Sequence, residues 1–230
     1  MVQISSILVL CMVALVIFAL VQRHQSGGGS SFGKNKNGML RAEDLNRKPK
    51  AVQHNSTKTD VQNLLVFLLR YAKKHKEVRV VCPGRVEYEG RQCGATMLLV
   101  GPFGVQSIHC FGFGGSVSPA DTGSDWVQKM NGQVKTILNP VQVNQEDNAA
   151  MRQILKANGY KDVPVYSCGV FTQEDVALHA GGASGLYTSQ QFKDWLNADA
   201  LRAREASVTD VQALTDLLAK LAGIPDKKKS

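Results

Sequence analysis

The stretch Gly94–Gly115, GATMLLVGPFGVQSIHCFGFGG, decides the fold. Within it, Thr96–Val100 is followed by the tetrapeptide Gly101-Pro102-Phe103-Gly104 and then by Val105–Phe111. Gly accepts positive φ and Pro fixes φ at about −65°, so the tetrapeptide predicts a tight turn between two strands. The continuous apolar run Met97–Val100 is typical of a strand covered on both faces. The stretch therefore predicts a β-hairpin at the centre of an α/β domain.

The flanking sequence predicts further helices and strands around this hairpin. Before it, apolar residues at helical spacing predict a helix from a Thr59-Asp60 cap to about Lys74, then a strand at Val78–Cys82 and an exposed connection over Arg85–Gln92. After the Gly- and Ser-rich residues 112–124, the turn signal Asn131-Gly132 predicts a small hairpin. The remaining predicted elements are a helix over Asn148–Asn158, strands over Asp162–Phe171 and Gly185–Tyr187, a helix capped by Thr188, and an amphipathic helix over Val211–Leu221.

The N-terminal run Ile4–Val21 is uncharged and almost entirely apolar. Its length meets the requirement for a membrane-spanning helix. The alternative is a cleaved signal peptide, which usually has a basic n-region, but no Lys or Arg precedes Arg23. We expect an uncleaved anchor, with the N-terminus outside and the domain in the cytoplasm by the positive-inside rule.

The residues after this span have the composition of a flexible basic linker. SGGGSS occupies Ser26–Ser31, and the basic run Arg41–Lys50 predicts either a solvated spacer or contact with anionic headgroups. We therefore divide the chain into an anchor (1–22), a linker (23–59), a folded domain (60–198), and a C-terminal helix with a basic tail (199–230).

The overall charge permits an anionic partner but does not select one. The 230 residues are 43% hydrophobic and carry a formal charge of +8, which suits nucleic acid or an acidic membrane surface. The five cysteines include no CxxC pair, which favours free thiols in a reducing compartment. A zinc site formed by Cys93, His109 and Cys110 is the alternative, but it lacks the close ligand pairs that zinc sites favour.

The order of several motifs resembles the nuclease-related domain (NERD) family, over roughly Asp60 to Leu196. The resemblance is carried by the hairpin and by a series of downstream motifs: Trp126, Asn131-Gly132, Asn139-Pro140 with Gln145, Val163-Pro164-Val165 and Val170-Phe171. That family is regarded as a remote branch of the PD-(D/E)xK nucleases. The resemblance implies a restriction-endonuclease-like fold, in which helices flank a central mixed sheet.

The resemblance also implies where catalytic residues would lie. Family members usually place an Asp at the start of the first hairpin strand and Glu-x-Lys at the end of the second, where they bind a divalent metal and activate water. In this chain those positions fall on Thr96, His109 and Phe111. Thr and Phe are unsuited to binding Mg²⁺, and His favours softer metals. The resemblance therefore predicts a degenerate, inactive site without a cofactor.

Three functions stay open at this point. The leading one is a membrane-anchored, catalytically degenerate module that binds nucleic acid or a protein partner. The second is an active Mg²⁺ or Mn²⁺ nuclease whose site has migrated to other side chains. Its candidate ligands are Asp60, Glu87, Glu89, His109 and Asp125. The third is a structural membrane protein that forms homo-oligomers through the helix Val211–Leu221.

Overall fold

The computed structural model describes residues 58–120, 125–180 and 185–225. The predicted membrane span at Ile4–Val21, the basic linker run and Cys11 lie outside these residues. Over the described ranges, no helix has both the length and the apolar character needed to cross a membrane.

The described chain is a mixed α/β structure, which confirms the predicted class. Its helices are α1 (Lys58–Lys74), α2 (Pro140–Ala157), α3 (Ser189–Asn197) and α4 (Val211–Leu221). Its strands are β1 (Arg79–Val81), β2 (Val86–Tyr88), β3 (Arg91–Cys93), β4 (Met97–Gly101), β5 (Gly104–Phe111), β6 (Ser116–Pro119), β7 (Trp126–Met130), β8 (Gln133–Ile137), β9 (Val165–Phe171), β10 (Ala177–Leu178) and β11 (Leu186–Thr188).

The predicted hairpin β4–β5 occupies the middle of a five-stranded sheet of order β1-β4-β5-β9-β11. Strands β1, β4 and β5 are antiparallel neighbours, whereas β9 and β11 run parallel to β5. Gly104 closes the turn with a φ of 105°, and a side chain there would collide with the carbonyl of Pro164. The turn therefore requires glycine for both its backbone conformation and its close approach to the chain before β9.

Helices cover both faces of this sheet, so its central strands are apolar on both sides. Leu98 and Val100 belong to one core, which α2 and α4 complete with the residues Met151, Ile154, Leu155, Leu214 and Leu218. The alternate residues Met97 and Leu99 are equally buried and face the other side, where α1 and α3 pack. The run Met97–Val100 is apolar at every position because both faces of this strand are covered.

A second, four-stranded sheet has the order β10-β6-β7-β8. Strands β6, β7 and β8 form an antiparallel meander, and β10 pairs parallel with β6. Its inner face contributes Val117 and Trp126 to a core with Phe113, Phe171 and Leu186. This core joins the second sheet to Phe171 at the C-terminal end of β9 and to Leu186 at the start of β11.

The chain after α3 packs on the domain. Leu201 is fully buried, and the Arg204 guanidinium lies 3.7 Å from the ring centre of Tyr166 while donating to Gln106 Oε1 at 3.0 Å. The segment then meets the β4–β5 turn, where the amides of Ser207 and Val208 donate to the Pro102 carbonyl. Helix α4 follows and buries its apolar face in the core shared with α2.

The structure corrects two sequence predictions about irregular segments. Arg85–Gln92 is largely exposed, as expected, but it is not an irregular connection, because Val86–Tyr88 and Arg91–Cys93 pair as the hairpin β2–β3 around Glu89, whose φ is 48°. The Gly- and Ser-rich stretch 112–124 contains strand β6. These three strands, β2, β3 and β6, were missed because they are short and because polar or small residues interrupt their apolar alternation.

Helix α2 begins eight residues before the predicted start at Asn148. Asn139 caps it, since its side-chain oxygen accepts from the amides of Val141 at 3.0 Å and Gln142 at 3.2 Å. Pro140 occupies the first turn, where its fixed φ suits a helix and its missing N–H costs nothing. The prediction was wrong because the polar residues after Pro140 hide this cap, and the missed turns contain Asn144 and Asp147.

Candidate functional site

Thr96, His109 and Phe111, the positions where the resemblance implies catalytic residues, lie at the open end of the β4–β5 hairpin. Thr96 precedes β4, and its amide donates to the carbonyl of Ile108 at 2.8 Å. Its hydroxyl oxygen accepts from the Cys110 amide at 3.0 Å. The Thr96 side chain therefore extends the pairing of the two strands and is engaged in a structural hydrogen bond.

His109 projects from β5 toward helix α2 and is only 5% exposed. Its Nε2 lies 3.2 Å from Asp147 Oδ2, and the other carboxylate oxygen accepts from the Gly94 amide at 3.0 Å. Burial lowers the pKa of His109 below 6.5, while the nearby Asp147 carboxylate acts in the opposite direction. The dominant burial effect favours a neutral imidazole beside the carboxylate near neutral pH.

Phe111, at the expected Lys position, belongs to an aromatic group at the C-terminal end of β5. Its ring centre lies 5.3 Å from that of Phe171 and 6.4 Å from that of Phe113. On the neighbouring strand, a Cβ at Gly169 would come within 2.6 Å of the Phe111 ring. The absence of a side chain at Gly169 thus makes room for the phenyl ring, which packs where the resemblance implies a catalytic amine.

Polar side chains continue this contact between α2 and the sheet. Asn148 Nδ2 donates to the carbonyl of Val165 at 3.2 Å, and the Ser167 hydroxyl donates to the Asn144 carbonyl at 3.0 Å. In the described structure, neither His109 Nε2 nor the buried Asn144 Oδ1 has a well-directed hydrogen-bond partner. The first half of α2 is therefore held on the sheet by polar contacts, whereas its second half packs through apolar side chains.

The grouping of Cys93, Ser107, His109 and Asp147 contains residue types used in nucleophilic catalysis. Cys93 is fully buried, and burial raises the pKa of its thiol to about 11. Ser107 has no exposed surface either. A nucleophile must be reachable by its substrate and be deprotonated at the moment of attack, and this group fails both requirements.

A hard-metal site is also not assembled by the described residues. Within 58–120, 125–180 and 185–225, no three His, Cys, Asp or Glu side chains gather in a geometry suited to a metal ion. Glu87 and Glu89 lie exposed on the β2–β3 hairpin, and Glu89 Oε2 is 3.6 Å from Arg91 Nη1. Asp125 is exposed just before β7. Among the described residues, Cys93, His109 and Cys110 likewise do not come together as a zinc site.

Asp60 lies in the first turn of α1 and borders a cleft of about 310 Å³. The cleft also receives Thr172, Glu174 and Lys193, and it opens beside the C-terminal ends of β9 and β11. Its lining mixes both charges with hydroxyl groups. This arrangement brings Asp60 together with polar residues that the sequence analysis did not select.

His109 was predicted from its position in the hairpin, but its partner Asp147 on α2 was not. The signal that would have found it is the Asn139-Pro140 pair, because a helix starting there places Asn144, Asp147 and Asn148 on one face. That face meets the sheet at His109 and Ser167.

Comparison with known proteins gives no relative for this chain: no family model, no curated protein and no solved structure matches it.

We expect the two ways of removing the Asp147 charge to have different effects on stability. Asp147→Ala leaves His109 buried without its partner and should lower the free energy of unfolding by about 1–3 kcal/mol. Asp147→Asn keeps an oxygen for the Gly94 amide and gains an N–H group that can donate to Nε2, so its cost should stay below about 1 kcal/mol. Urea unfolding at neutral pH measures both, and equal losses would contradict a hydrogen-bonding role for this side chain.

The stability of the fold should also depend on the protonation of His109. Because its folded-state pKa is lowered, the unfolded chain binds the proton more readily, and stability falls as the pH drops below about 6.5. One proton limits this slope to about 1.4 kcal/mol per pH unit. Urea unfolding across this range should show a shallower slope for His109→Gln.

His179→Gln is the matched control, because His179 is exposed. It should keep the pH dependence of the unsubstituted chain. Identical slopes for His109→Gln and the unsubstituted chain would contradict the proposed burial of a neutral imidazole.

Proposed function

We propose that this chain is a membrane-anchored protein of the nuclease-related type that binds a partner and does not cleave nucleic acid. Its proposed orientation places the N-terminus outside and the domain in the cytoplasm. The observation that carries the loss of cleavage is the buried contact between His109 and Asp147. The position where the resemblance implies a metal-binding Glu is used instead to hold helix α2.

The other two degenerate positions support the same proposal. A water-activating site needs a carboxylate and an amine that reach solvent and substrate. Thr96 is hydrogen-bonded to the β5 backbone, and Phe111 packs against Phe171. Each position therefore has a structural contact that a catalytic side chain would have to replace.

The mixed sheet with helices on both faces supports the nuclease-related part of the proposal, because the resemblance implies such an architecture. The hairpin that carries the degenerate positions is the central pair of strands in that sheet. The finer assignment to a restriction-endonuclease-like fold is part of this proposal.

Charge is distributed unevenly along the chain, which bears on how a partner would be bound. Cationic and anionic side chains occur in nearly equal numbers among the described residues, whereas the whole chain has a formal charge of +8. The excess lies mainly in residues 1–57 and 226–230. We therefore assign electrostatic binding of a nucleic acid to the basic linker, chiefly Arg41, Arg47, Lys48 and Lys50.

The other two functions have less support. A migrated nuclease site needs several hard ligands in one place, and Glu87, Glu89 and Asp125 are exposed without forming such a group in the described structure. Oligomerisation through α4 needs its apolar face, but Leu214 and Leu218 are buried within the domain.

The experiment is a nuclease and binding assay on the full chain in detergent micelles, with Mg²⁺ or Mn²⁺ and single- or double-stranded DNA and RNA. We expect no metal-dependent cleavage, and we expect DNA binding that weakens steeply as salt rises. The variant with Arg41, Arg47, Lys48 and Lys50 all changed to Gln should bind at least about tenfold more weakly at low salt.

A triple variant with Glu87→Ala, Glu89→Ala and His109→Ala, purified in the same way, separates intrinsic cleavage from contaminating nuclease. Metal-dependent cleavage by the unsubstituted chain that this variant loses would overturn the proposal and locate a working site. DNA binding that the linker variant retains in full would move the binding surface onto the folded domain.

A further inference from the structure

We propose that one water molecule binds in an internal site between helix α2 and the sheet, where Ser107, His109 and Asn144 hold it. Four buried side-chain atoms of the described residues have no well-directed hydrogen-bond partner in the protein. Three of them are Ser107 Oγ, His109 Nε2 and Asn144 Oδ1, and the fourth, the Tyr71 hydroxyl, lies on α1. A buried polar atom without a partner is costly, and internal water is the usual partner where the protein supplies none.

The strand pairing and the contacts of α2 bring these three side chains together. Ser107 and His109 lie two residues apart on β5, so both project from the face of the sheet on which His109 meets α2. Ser107 is paired with Ser167 on β9, and the Ser167 hydroxyl donates to the Asn144 carbonyl at 3.0 Å. One turn later on α2, Asp147 lies beside His109. Asn144 is thus held next to the part of the sheet that carries the other two residues.

The spacing along β5 suits a single bridging molecule. Side chains two residues apart on a strand begin about 6.6 Å from each other. A water molecule with two hydrogen bonds of about 2.9 Å each spans a similar distance. One water can therefore reach both Ser107 Oγ and His109 Nε2, which do not bond each other directly.

The three atoms together need two donors and one acceptor, which is what a water molecule offers. The amide oxygen of Asn144 only accepts, and the Nε2 of a neutral imidazole accepts when the proton is on Nδ1. The Ser107 hydroxyl can donate. A water that donates to Asn144 and His109 and accepts from Ser107 makes three hydrogen bonds, the typical number for buried water.

The neighbouring side chains do not replace this molecule. Asp147 Oδ2 lies 3.2 Å from His109 Nε2, but the two are not aligned for a hydrogen bond. The Cys93 thiol lies beside the Ser107 hydroxyl and is only a weak hydrogen-bonding group. The bound water therefore completes the polar contact that holds the first half of α2, whether or not the chain has the proposed binding function.

The test is the transfer of magnetisation from water to the carbon-bound imidazole protons of His109, measured by NMR on the isotope-labelled full chain in detergent micelles. These protons do not exchange with solvent, so the transfer reports a water molecule held beside the ring. We expect it in the unsubstituted chain, with the sign of a long-lived water. Asn144→Leu keeps the branched shape of the side chain but cannot accept a hydrogen bond, and it should weaken the transfer at least about threefold.

Asn148→Leu is the matched control and should keep the transfer. Asn148 lies one turn further along α2, and its Nδ2 already donates to the Val165 carbonyl at 3.2 Å. The absence of transfer in the unsubstituted chain would overturn the inference. Full transfer in Asn144→Leu would also overturn it, because the exchangeable Ser107 hydroxyl proton, which this variant keeps, would then account for the signal.

Oxygen-17 relaxation dispersion of the unsubstituted chain decides the question if Asn144→Leu does not fold. It detects the oxygen of a long-lived internal water, to which a relay through hydroxyl protons contributes nothing. We expect such a water, and a chain without one would overturn the inference.

Discussion

The contact between His109 on β5 and Asp147 on α2 is the constraint on which the position of helix α2 depends. The helix packs against β9 and β3, and its C-terminal half is held there by Met151, Ile154 and Leu155. Its N-terminal half instead presents amide and carboxylate groups to the sheet. A buried polar group is costly without a partner. The register of α2 is therefore favoured where Asp147 reaches both His109 Nε2 and the Gly94 amide.

This contact connects the fold with the proposed absence of nuclease chemistry. A Glu at position 109 would bring a second carboxylate close to Asp147, and two like charges in a buried space repel each other strongly. A histidine held neutral by burial avoids that repulsion. At position 111, the phenyl ring packs beside Gly169, so this side chain also has a structural contact. Structural contacts now occupy the places where a metal-activating group would be needed.

The parts of the fold that the sequence predicts are those with strong local signals. The apolar run Met97–Val100, the Gly-Pro turn after it and the Asn131-Gly132 turn each specify their structure within a few residues. Helix α2 was placed too late because its first turns are polar and only the Asn139 cap marks them. His109 was selected from its position in the hairpin, but a partner 38 positions away along the chain follows only from the helix register. Strand β6 depends on pairing with β7 and β10, which composition does not reveal.

The most direct test of the central claim is an NMR titration of the His109 imidazole in the full chain, assigned by comparison with His109→Gln. A neutral structural histidine should titrate below about pH 6.5, and its resonances should keep their linewidth when Mn²⁺ is added in equal amount. A pKa above that value, or selective broadening of the His109 signals by stoichiometric Mn²⁺, would contradict the account. The raised pKa would show a charged ion pair with Asp147, and the broadening would show a metal site at this position.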